Sequence, residues 1–175
     1  MDNTVGSRNK TLYTIKLSQA EAGFVAGFLE GDGSISAKIT PTSGSYRVFL
    51  AISFSQHPKN RIVLEYLQKL LGGVLSDYTH HAMSELVVRD RTHVKVILET
   101  IQPFLISKKE QARLALATID ILNRSSRGTQ RPPREVLETA KLAEEIRMRN
   151  SNRKNKTIHT FEKVMDRLKE KGLVT

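Results

Sequence analysis

The hydrophobic pattern of this 175-residue chain runs through the same order of elements twice, and this repeat limits the fold most strongly. Ser18 followed three residues later by Glu21 predicts a capped helix that ends near residue 31. Alternating runs over 34–40 and 46–56 predict two strands. A second helix, strands over 74–78 and 83–89, and further helices follow. Two α-β-β units in tandem predict an α+β fold, in which an antiparallel sheet carries its helices on one face.

Several local predictions accompany this order. A turn is expected over 41–45, and the second helix is expected to bury an apolar stripe from Ile62 to Leu71. Thr92 is expected to cap the next helix, and Ser107 with Glu110 to form a second capping box. Helices are expected near 134–149 and 160–171. We therefore predict one domain over 1–175, with a core over about 17–123 and a C-terminal helical extension over about 124–175.

Composition excludes several classes of protein and of site. The chain has no cysteine, which excludes disulfide frameworks, thiolate zinc sites and cysteine nucleophiles. Its apolar runs are too short to span a membrane, and its first 20 residues lack a secretory pattern, so an intracellular or organellar compartment is expected. The 28 Lys and Arg exceed the 18 Asp and Glu by ten charges, which indicates a polyanionic partner, most simply nucleic acid.

Glycines recur every four residues along the first helix, at Gly23, Gly27 and Gly31. Each interior glycine costs about 0.5–1 kcal/mol relative to alanine. A helix with three of them is expected to pack its backbone closely against another backbone, most simply the same helix of a second subunit about a two-fold axis. The predicted interface comprises these glycines with Phe24 and Phe28. The alternative is a core helix with incidental glycines.

Asp32 follows this stripe between Gly31 and Gly33. A carboxylate beside an open carbonyl provides the hard oxygen ligands that Mg²⁺ prefers. At a two-fold axis, two Asp32 carboxylates would face each other and would require cations between them. This arrangement suits metal-assisted hydrolysis of a phosphodiester. An isolated Gly-Asp-Gly is otherwise an ordinary turn.

The segment 25–33, VAGFLEGDG, resembles the motif of the LAGLIDADG homing endonucleases. Ala26, Gly27, Asp32 and Gly33 match its letters, and the order of elements matches the family's core. A single copy of the motif resembles the branch that works as homodimers and is encoded in organellar group I introns. The resemblance implies a Mg²⁺-dependent enzyme, with Mn²⁺ or Ca²⁺ able to replace Mg²⁺ for binding, that makes double-strand breaks in a long pseudo-palindromic DNA target. It implies no small-molecule cofactor and no membrane partner.

The resemblance also implies catalytic roles for individual residues. Asp32 and the Gly31 carbonyl would hold the metal, Gln56 would position solvent, and Lys108 would approach the central phosphates. The family's basic residue four positions after this glutamine is replaced here by Asn60. Arg61 or Lys59 is expected to supply that charge instead.

The resemblance assigns the polar face of the sheet to base readout in the major groove. The DNA-contacting candidates on the two hairpins are Ser34, Ser36, Lys38, Thr40, Thr42, Tyr46, Arg47, Ser53, Tyr78, His80, Ser84, Glu85 and Val87. In the basic, acid-free stretch 151–157, Arg153, Lys154 and Lys156 are candidates for phosphate contacts.

Two other readings compete with the nuclease. One is a non-cleaving nucleic-acid-binding protein on the same fold, such as an intron RNA maturase or a DNA-binding regulator. The other is a basic, RNA-associated structural protein, which would not need a glycine stripe that ends in an acid. The intact set of Asp32, Gln56 and Lys108 argues against a site that has lost its activity.

Overall fold

The computed structural model describes residues 15–43, 45–125, 131–150 and 159–174. Within these ranges, four strands form one antiparallel sheet in the order β1-β2-β4-β3. The strands are β1 (Gly33–Thr42), β2 (Ser45–Gln56), β3 (Val74–Tyr78) and β4 (Met83–Val88). The described helices are α1 (Gln19–Asp32), α2 (Arg61–Leu71), α3 (Arg91–Ile101), α4 (Lys109–Arg124), α5 (Pro133–Asn150) and α6 (Phe161–Glu170). The predicted α+β class is confirmed.

The first helix begins as its capping residues predict. Ser18 donates its main-chain N–H to the Glu21 carboxylate at 2.8 Å, and its hydroxyl accepts the Glu21 N–H at 3.3 Å. Two N–H groups that have no main-chain partner at the start of α1 are therefore hydrogen-bonded to side chains. The buried side of the helix, with Val25 and Leu29 fully covered, packs onto the sheet.

Alternation along β1 and β2 gives the sheet one apolar and one polar face, as predicted. Ile35, Ile52 and Phe54 lie in the main hydrophobic cluster under α1 to α4. A second cluster joins Ile39 and Val48 to α5 and α6. Asn150, at the end of α5, donates its side-chain amide to the Ile35 carbonyl at 2.6 Å. The C-terminal helices thus cover the same face of the sheet.

One local prediction is too wide and three are wrong, each for a local physical reason. The turn predicted over 41–45 is too wide, because Thr42 still belongs to β1 and Ser45 already belongs to β2. Pro41 lies in the edge strand β1, where a missing N–H is tolerated. Ile62 is exposed because it falls outside the buried stripe of α2. Asp90, rather than Thr92, caps α3 by accepting the N–H of Thr92 at 2.9 Å. Ser107 does not form a capping box, because its N–H and hydroxyl bond to Glu30 of α1.

The junction between α1 and β1 requires glycine at position 33. A Cβ there would lie 2.7 Å from Leu29 Cδ1 and 2.9 Å from the Ser53 carbonyl oxygen. The close approach of α1 to β2 therefore depends on a missing side chain. It sets the position of Asp32, which immediately precedes this junction.

None of the helices in the described ranges is both long enough and apolar enough to cross a membrane.

Candidate active site and nucleic-acid interface

Asp32 lies exposed at the last position of α1, and the end of β2 returns to it. Gln56 donates a hydrogen bond from Nε2 to Asp32 Oδ2 at 3.2 Å. The other end of the same amide, Oε1, accepts the main-chain N–H of His57 at 2.9 Å. This second bond fixes the direction of the amide, so its NH₂ group points at the carboxylate.

Lys108 is brought to the same turn of α1 from a distant part of the chain. Its Nζ donates to the main-chain carbonyl of Glu30 at 2.6 Å. Carbonyls in the last turn of a helix have no intrahelical donor, so a lysine ammonium is a favourable partner there. Asp32, Gln56 and Lys108, which the sequence predicts to act together, are therefore all held at the end of α1.

Glu30 holds the segment that carries Lys108, and sequence reasoning assigned it no role. Its carboxylate accepts the N–H groups of Ile106 at 2.9 Å, Ser107 at 3.1 Å and Lys108 at 3.0 Å, together with the Ser107 hydroxyl. Burial raises the pKa of Glu30, but the hydrogen bonds from Ser107 and these N–H groups outweigh it and lower the pKa to about 2. Glu30 is thus ionised over the physiological range.

Arg61 is engaged by two carboxylates, Asp77 and Glu65. Its Nε lies 3.1 Å from Asp77 Oδ1, and its guanidinium also pairs with Glu65. The Ser84 hydroxyl donates to Asp77 at 2.6 Å. This bond and the Arg61 guanidinium lower the pKa of Asp77 against a smaller effect of burial. Lys59, the other basic candidate, is exposed, and its N–H bonds to His57 Nδ1 at 3.2 Å.

The donors at Gly31 and Asp32 fit a hard divalent cation. Both residues are exposed at the helix end, where a carboxylate and a carbonyl offer oxygen ligands. In the described part of the chain, no cluster of three or more His, Asp or Glu residues could hold a metal by itself. The described part of one chain therefore offers only part of a coordination shell, and water or phosphate oxygens are the ligands with which Mg²⁺ usually completes one.

The first hairpin places most of its predicted DNA-contacting residues on the face that the helices leave open. Cross-strand pairs join Ser34 to Ser53 and Thr40 to Arg47. The Ser34 and Ser53 hydroxyls lie 3.3 Å apart. The predicted residues of this hairpin that lie on the open face are Ser34, Ser36, Lys38, Thr40, Thr42, Arg47 and Ser53.

The second hairpin contributes fewer residues to the open face. Tyr78 and Glu85 lie on it and retain exposed surface, and His80 is exposed in the short turn between β3 and β4. Val87 lies on the same face, opposite Ser53, but it is only 8% exposed. Little of Val87 is left for contact with a base.

Two predicted readout residues face the wrong way. Tyr46 is 6% exposed and packs with α5 and α6, where its ring lies 5.8 Å from that of His159. Ser84 is fully buried, because it shares the core-facing side of β4 with Leu86. Alternation along the strands places both side chains opposite to the open face. Arg153, Lys154 and Lys156 lie outside the described residues.

Phe49 is a residue of the open face that the sequence prediction left out. It pairs with Lys38 across the hairpin and is 56% exposed, an apolar surface among polar neighbours. The alternation along β2 was the available signal, because Phe49 lies two residues from Arg47 and four from Ser53 and therefore on the same face. For Glu30 the local sequence held no signal, because its partners lie far along the chain, in the segment just before α4.

The glycine stripe of α1 faces no other part of the described chain. A Cβ added at Gly23, Gly27 or Gly31 would meet no atom within 4 Å. Phe24, beside the stripe, is exposed, and its ring lies 6.1 Å from Phe28. The stripe therefore lies uncovered on the surface of the described chain, on the side of α1 opposite to its buried residues.

Comparison with known proteins identifies the family. The family described as LAGLIDADG endonuclease matches residues 25–119, which include the second half of α1, the whole sheet and most of α4. The chain belongs to the LAGLIDADG endonuclease family. The predicted resemblance is confirmed, with the match beginning at Val25 in the motif segment.

Two relatives in the LAGLIDADG endonuclease family extend over most of the chain. The DNA endonuclease I-CvuI of Chlorella vulgaris is 28% identical over 159 residues, which cover 89% of this chain and 94% of the relative. The DNA endonuclease I-CreI of Chlamydomonas reinhardtii is 29% identical over 153 residues, which cover 85% and 90%.

A crystal structure of I-CvuI with its target in the presence of Ca matches with a TM-score of 0.78 and 30% identity, covering 90% of this chain and 98% of that chain. I-CvuI has also been crystallised with a DNA target in the presence of Mg. This homing endonuclease is therefore known in complex with DNA in the presence of either ion, and its DNA was not cleaved in the structure with Mg. An archaeal enzyme, I-Vdi141I, matches at a TM-score of 0.72 and 23% identity and supports the fold alone.

Proposed function

We propose that the chain is a site-specific homing endonuclease that makes double-strand breaks in DNA as a homodimer, with a divalent cation. The observation that carries the proposal is the meeting of Asp32, Gln56 and Lys108 at the end of α1, next to an uncovered glycine stripe. The match to the LAGLIDADG endonuclease family and the full-length likeness to I-CvuI and I-CreI support it.

The uncovered stripe supports pairing of α1 with α1 of a second copy. Glycine at 23, 27 and 31 lets two helix backbones approach more closely than any side chain would allow. The exposed ring of Phe24 adds apolar area at the edge of the same surface. Because Asp32 follows the stripe directly, a two-fold axis through it brings two Asp32 carboxylates together, one for each DNA strand.

Each catalytic side chain has a task that its contacts support. Asp32 and Gly31 would hold the cation, which neutralises negative charge at the scissile phosphate. Gln56 presents a directed NH₂ group beside Asp32 and is placed to orient solvent. The ammonium of Lys108 lies at the end of α1, where it can stabilise negative charge that develops on the phosphate.

The open face of the sheet supports DNA binding. Lys38 and Arg47 add positive charge to a surface otherwise rich in hydroxyl groups, which can bond to base edges in a major groove. We further propose Mg²⁺ as the native ion, a long pseudo-palindromic target and action in an organelle matrix. The algal sources of I-CvuI and I-CreI support the last point.

The test begins with selection of cleaved targets from a randomised duplex library in Mg²⁺. We expect wild-type protein to cut the recovered target in Mg²⁺ and not in EDTA. Asp32→Asn should bind the target in Ca²⁺ with wild-type affinity but should not cut it. Asp166→Asn, which removes an exposed carboxylate from α6, is the matched control and should cut normally.

Two results would contradict the proposal. Specific binding without cleavage by the wild type in Mg²⁺ would favour a non-cleaving nucleic-acid-binding protein. A DNA-bound protein mass equal to one 19.7 kDa chain, instead of two, would overturn the dimer.

A further inference from the structure

Glu30 and Lys108 hold each other through two separate connections. The Glu30 carboxylate accepts the main-chain N–H of Lys108 at 3.0 Å, and Lys108 returns its Nζ to the main-chain carbonyl of Glu30 at 2.6 Å. The lysine is therefore fixed at its backbone and at its tip by the same residue. Four rotatable side-chain bonds lie between these points, and an unrestrained lysine would leave its ammonium free to move.

The start of α4 does not explain the position of Lys108 by itself. Lys108 is the N-cap residue, and its side chain caps nothing. Helix N-termini carry a partial positive charge, which disfavours an ammonium nearby. The carboxylate of Glu30 on α1 accepts the N–H groups of Ile106, Ser107 and Lys108 just before α4, and its negative charge offsets this partial charge.

We propose that Glu30 is a positioning residue, which holds the Lys108 ammonium at the end of α1, the helix that also carries Asp32, for the cleavage reaction. The proposal rests on the proposed function and deepens it. Glu30 lies two residues before Asp32 on α1, so the same helix end places both the carboxylate and the ammonium. Glu30 itself touches neither DNA nor the reacting atoms. It acts through Lys108.

The first test measures the position of Lys108 without any cleavage. Wild-type protein is acetylated briefly with an N-hydroxysuccinimide ester, and mass spectrometry gives the labelling of Lys108 relative to the exposed neighbour Lys109. We expect Lys108 to react more slowly than Lys109 in the wild type and as fast as Lys109 in Glu30→Gln. Glu110→Gln is the matched control, since Glu110 begins α4 but pairs with Arg113, and should leave the ratio unchanged.

The second test measures single-turnover cleavage of the selected target, with binding in Ca²⁺ measured in parallel. We expect Glu30→Gln to slow cleavage by about 10-fold to 100-fold, the loss typical of a misplaced catalytic group, with little change in affinity. Glu30→Gln combined with Lys108→Ala should be no slower than Lys108→Ala alone, because both changes remove one function. Glu30→Asp, which keeps the charge, should recover part of the rate.

Each outcome decides one claim. An unchanged labelling ratio, or additive effects of Glu30→Gln and Lys108→Ala, would overturn the positioning role. If Glu30→Gln does not fold, Glu30→Asp is measured in the same two ways, and a wild-type ratio and rate would overturn it. Absence of wild-type cleavage would overturn the proposed function instead, and the labelling ratio would still show whether Glu30 holds Lys108.

Discussion

Gln56 at the end of β2 donates its side-chain amide to Asp32 at the end of α1, across 3.2 Å and 24 residues of sequence. The contact follows from the hairpin, because β1 starts directly after Asp32 and β2 returns antiparallel to it, with Phe54 opposite Gly33. The register of β1 and β2 therefore positions Gln56, and no separate loop is required.

Gln56→Ala should slow single-turnover cleavage of the selected target by about 10-fold to 100-fold, because the group that orients solvent is lost. Binding in Ca²⁺ should be unchanged, since Gln56 is not among the DNA-contacting residues proposed on the open face. Gln68→Ala, on α2, is the control and should cleave normally. An equal loss in both variants would show a general effect on the fold.

Gly27→Ala should have opposite effects on the monomer and on the dimer. The added methyl meets nothing in the described chain, and alanine favours a helix by about 0.5–1 kcal/mol, so the free energy of unfolding of the monomer should rise. In the dimer it would overpack the interface by about 1–3 kcal/mol, which raises the dissociation constant about 5-fold to 150-fold. Urea unfolding at high dilution and sedimentation equilibrium measure the two effects, and an unchanged dissociation constant would place the dimer contact elsewhere.

Gly33→Ala should destabilise the monomer. The Cβ would lie 2.8 Å from Leu29 Cα and 2.9 Å from the Ser53 carbonyl oxygen, so backbone must move. We expect a loss of about 1–3 kcal/mol in the free energy of unfolding, the range typical of overpacking. A wild-type unfolding midpoint would contradict the close approach of α1 to β2.

The stability that Glu30 contributes should depend on pH with a defined sign. Its pKa is about 2 in the folded chain, against an ordinary value of 4.5. Because the folded value is depressed, the stabilisation is complete above pH 4.5 and decreases as the pH falls toward 2. The difference in free energy of unfolding between wild type and Glu30→Gln should therefore shrink from pH 7 to pH 3. A difference that is constant over this range would contradict the ionised hydrogen-bonded carboxylate.

Tyr46→Ala should reduce stability, whereas Arg47→Ala should reduce DNA affinity. Tyr46 is buried against α5 and α6, and loss of a buried aromatic ring costs about 3–5 kcal/mol. Arg47 is exposed on the open face, so its removal should change stability by less than about 0.5 kcal/mol. If Arg47 contacts a phosphate, the slope of log affinity against log salt should also fall by about 1. The reverse pattern would mean that the two faces are assigned wrongly.

The fold was largely predictable because its signals are local. The alternation over 34–40 and 46–56 and the capping box at Ser18 determine α1, β1 and β2. The same alternation assigns Tyr46 to the core with Val48, and Ser84 with Leu86, so these two errors were avoidable from the sequence. Burial of Ser84 becomes favourable through its hydrogen bond to Asp77.

The rest of the site depends on contacts between distant segments. Ser107 bonds to Glu30 across 77 residues, while Glu110, three residues away, offers a competing local pattern that predicts a capping box. Arg61 similarly finds Asp77 on β3. The spacing of nearby residues does not show whether Ser107 bonds to Glu30 or to Glu110. The choice depends on which helix ends come together when the core packs.

Each chain has one Asp32 and one open face. This limits how the preferred DNA sequence of the protein can evolve. In a pair of identical chains, every substitution on the sheet appears twice, once in each half-site. A substitution at Lys38 or Arg47 that changes the preferred base therefore requires the corresponding base change in both half-sites of the DNA. Evolution toward an asymmetric sequence would require two chains that differ, either as a mixed pair or as a fused duplicate.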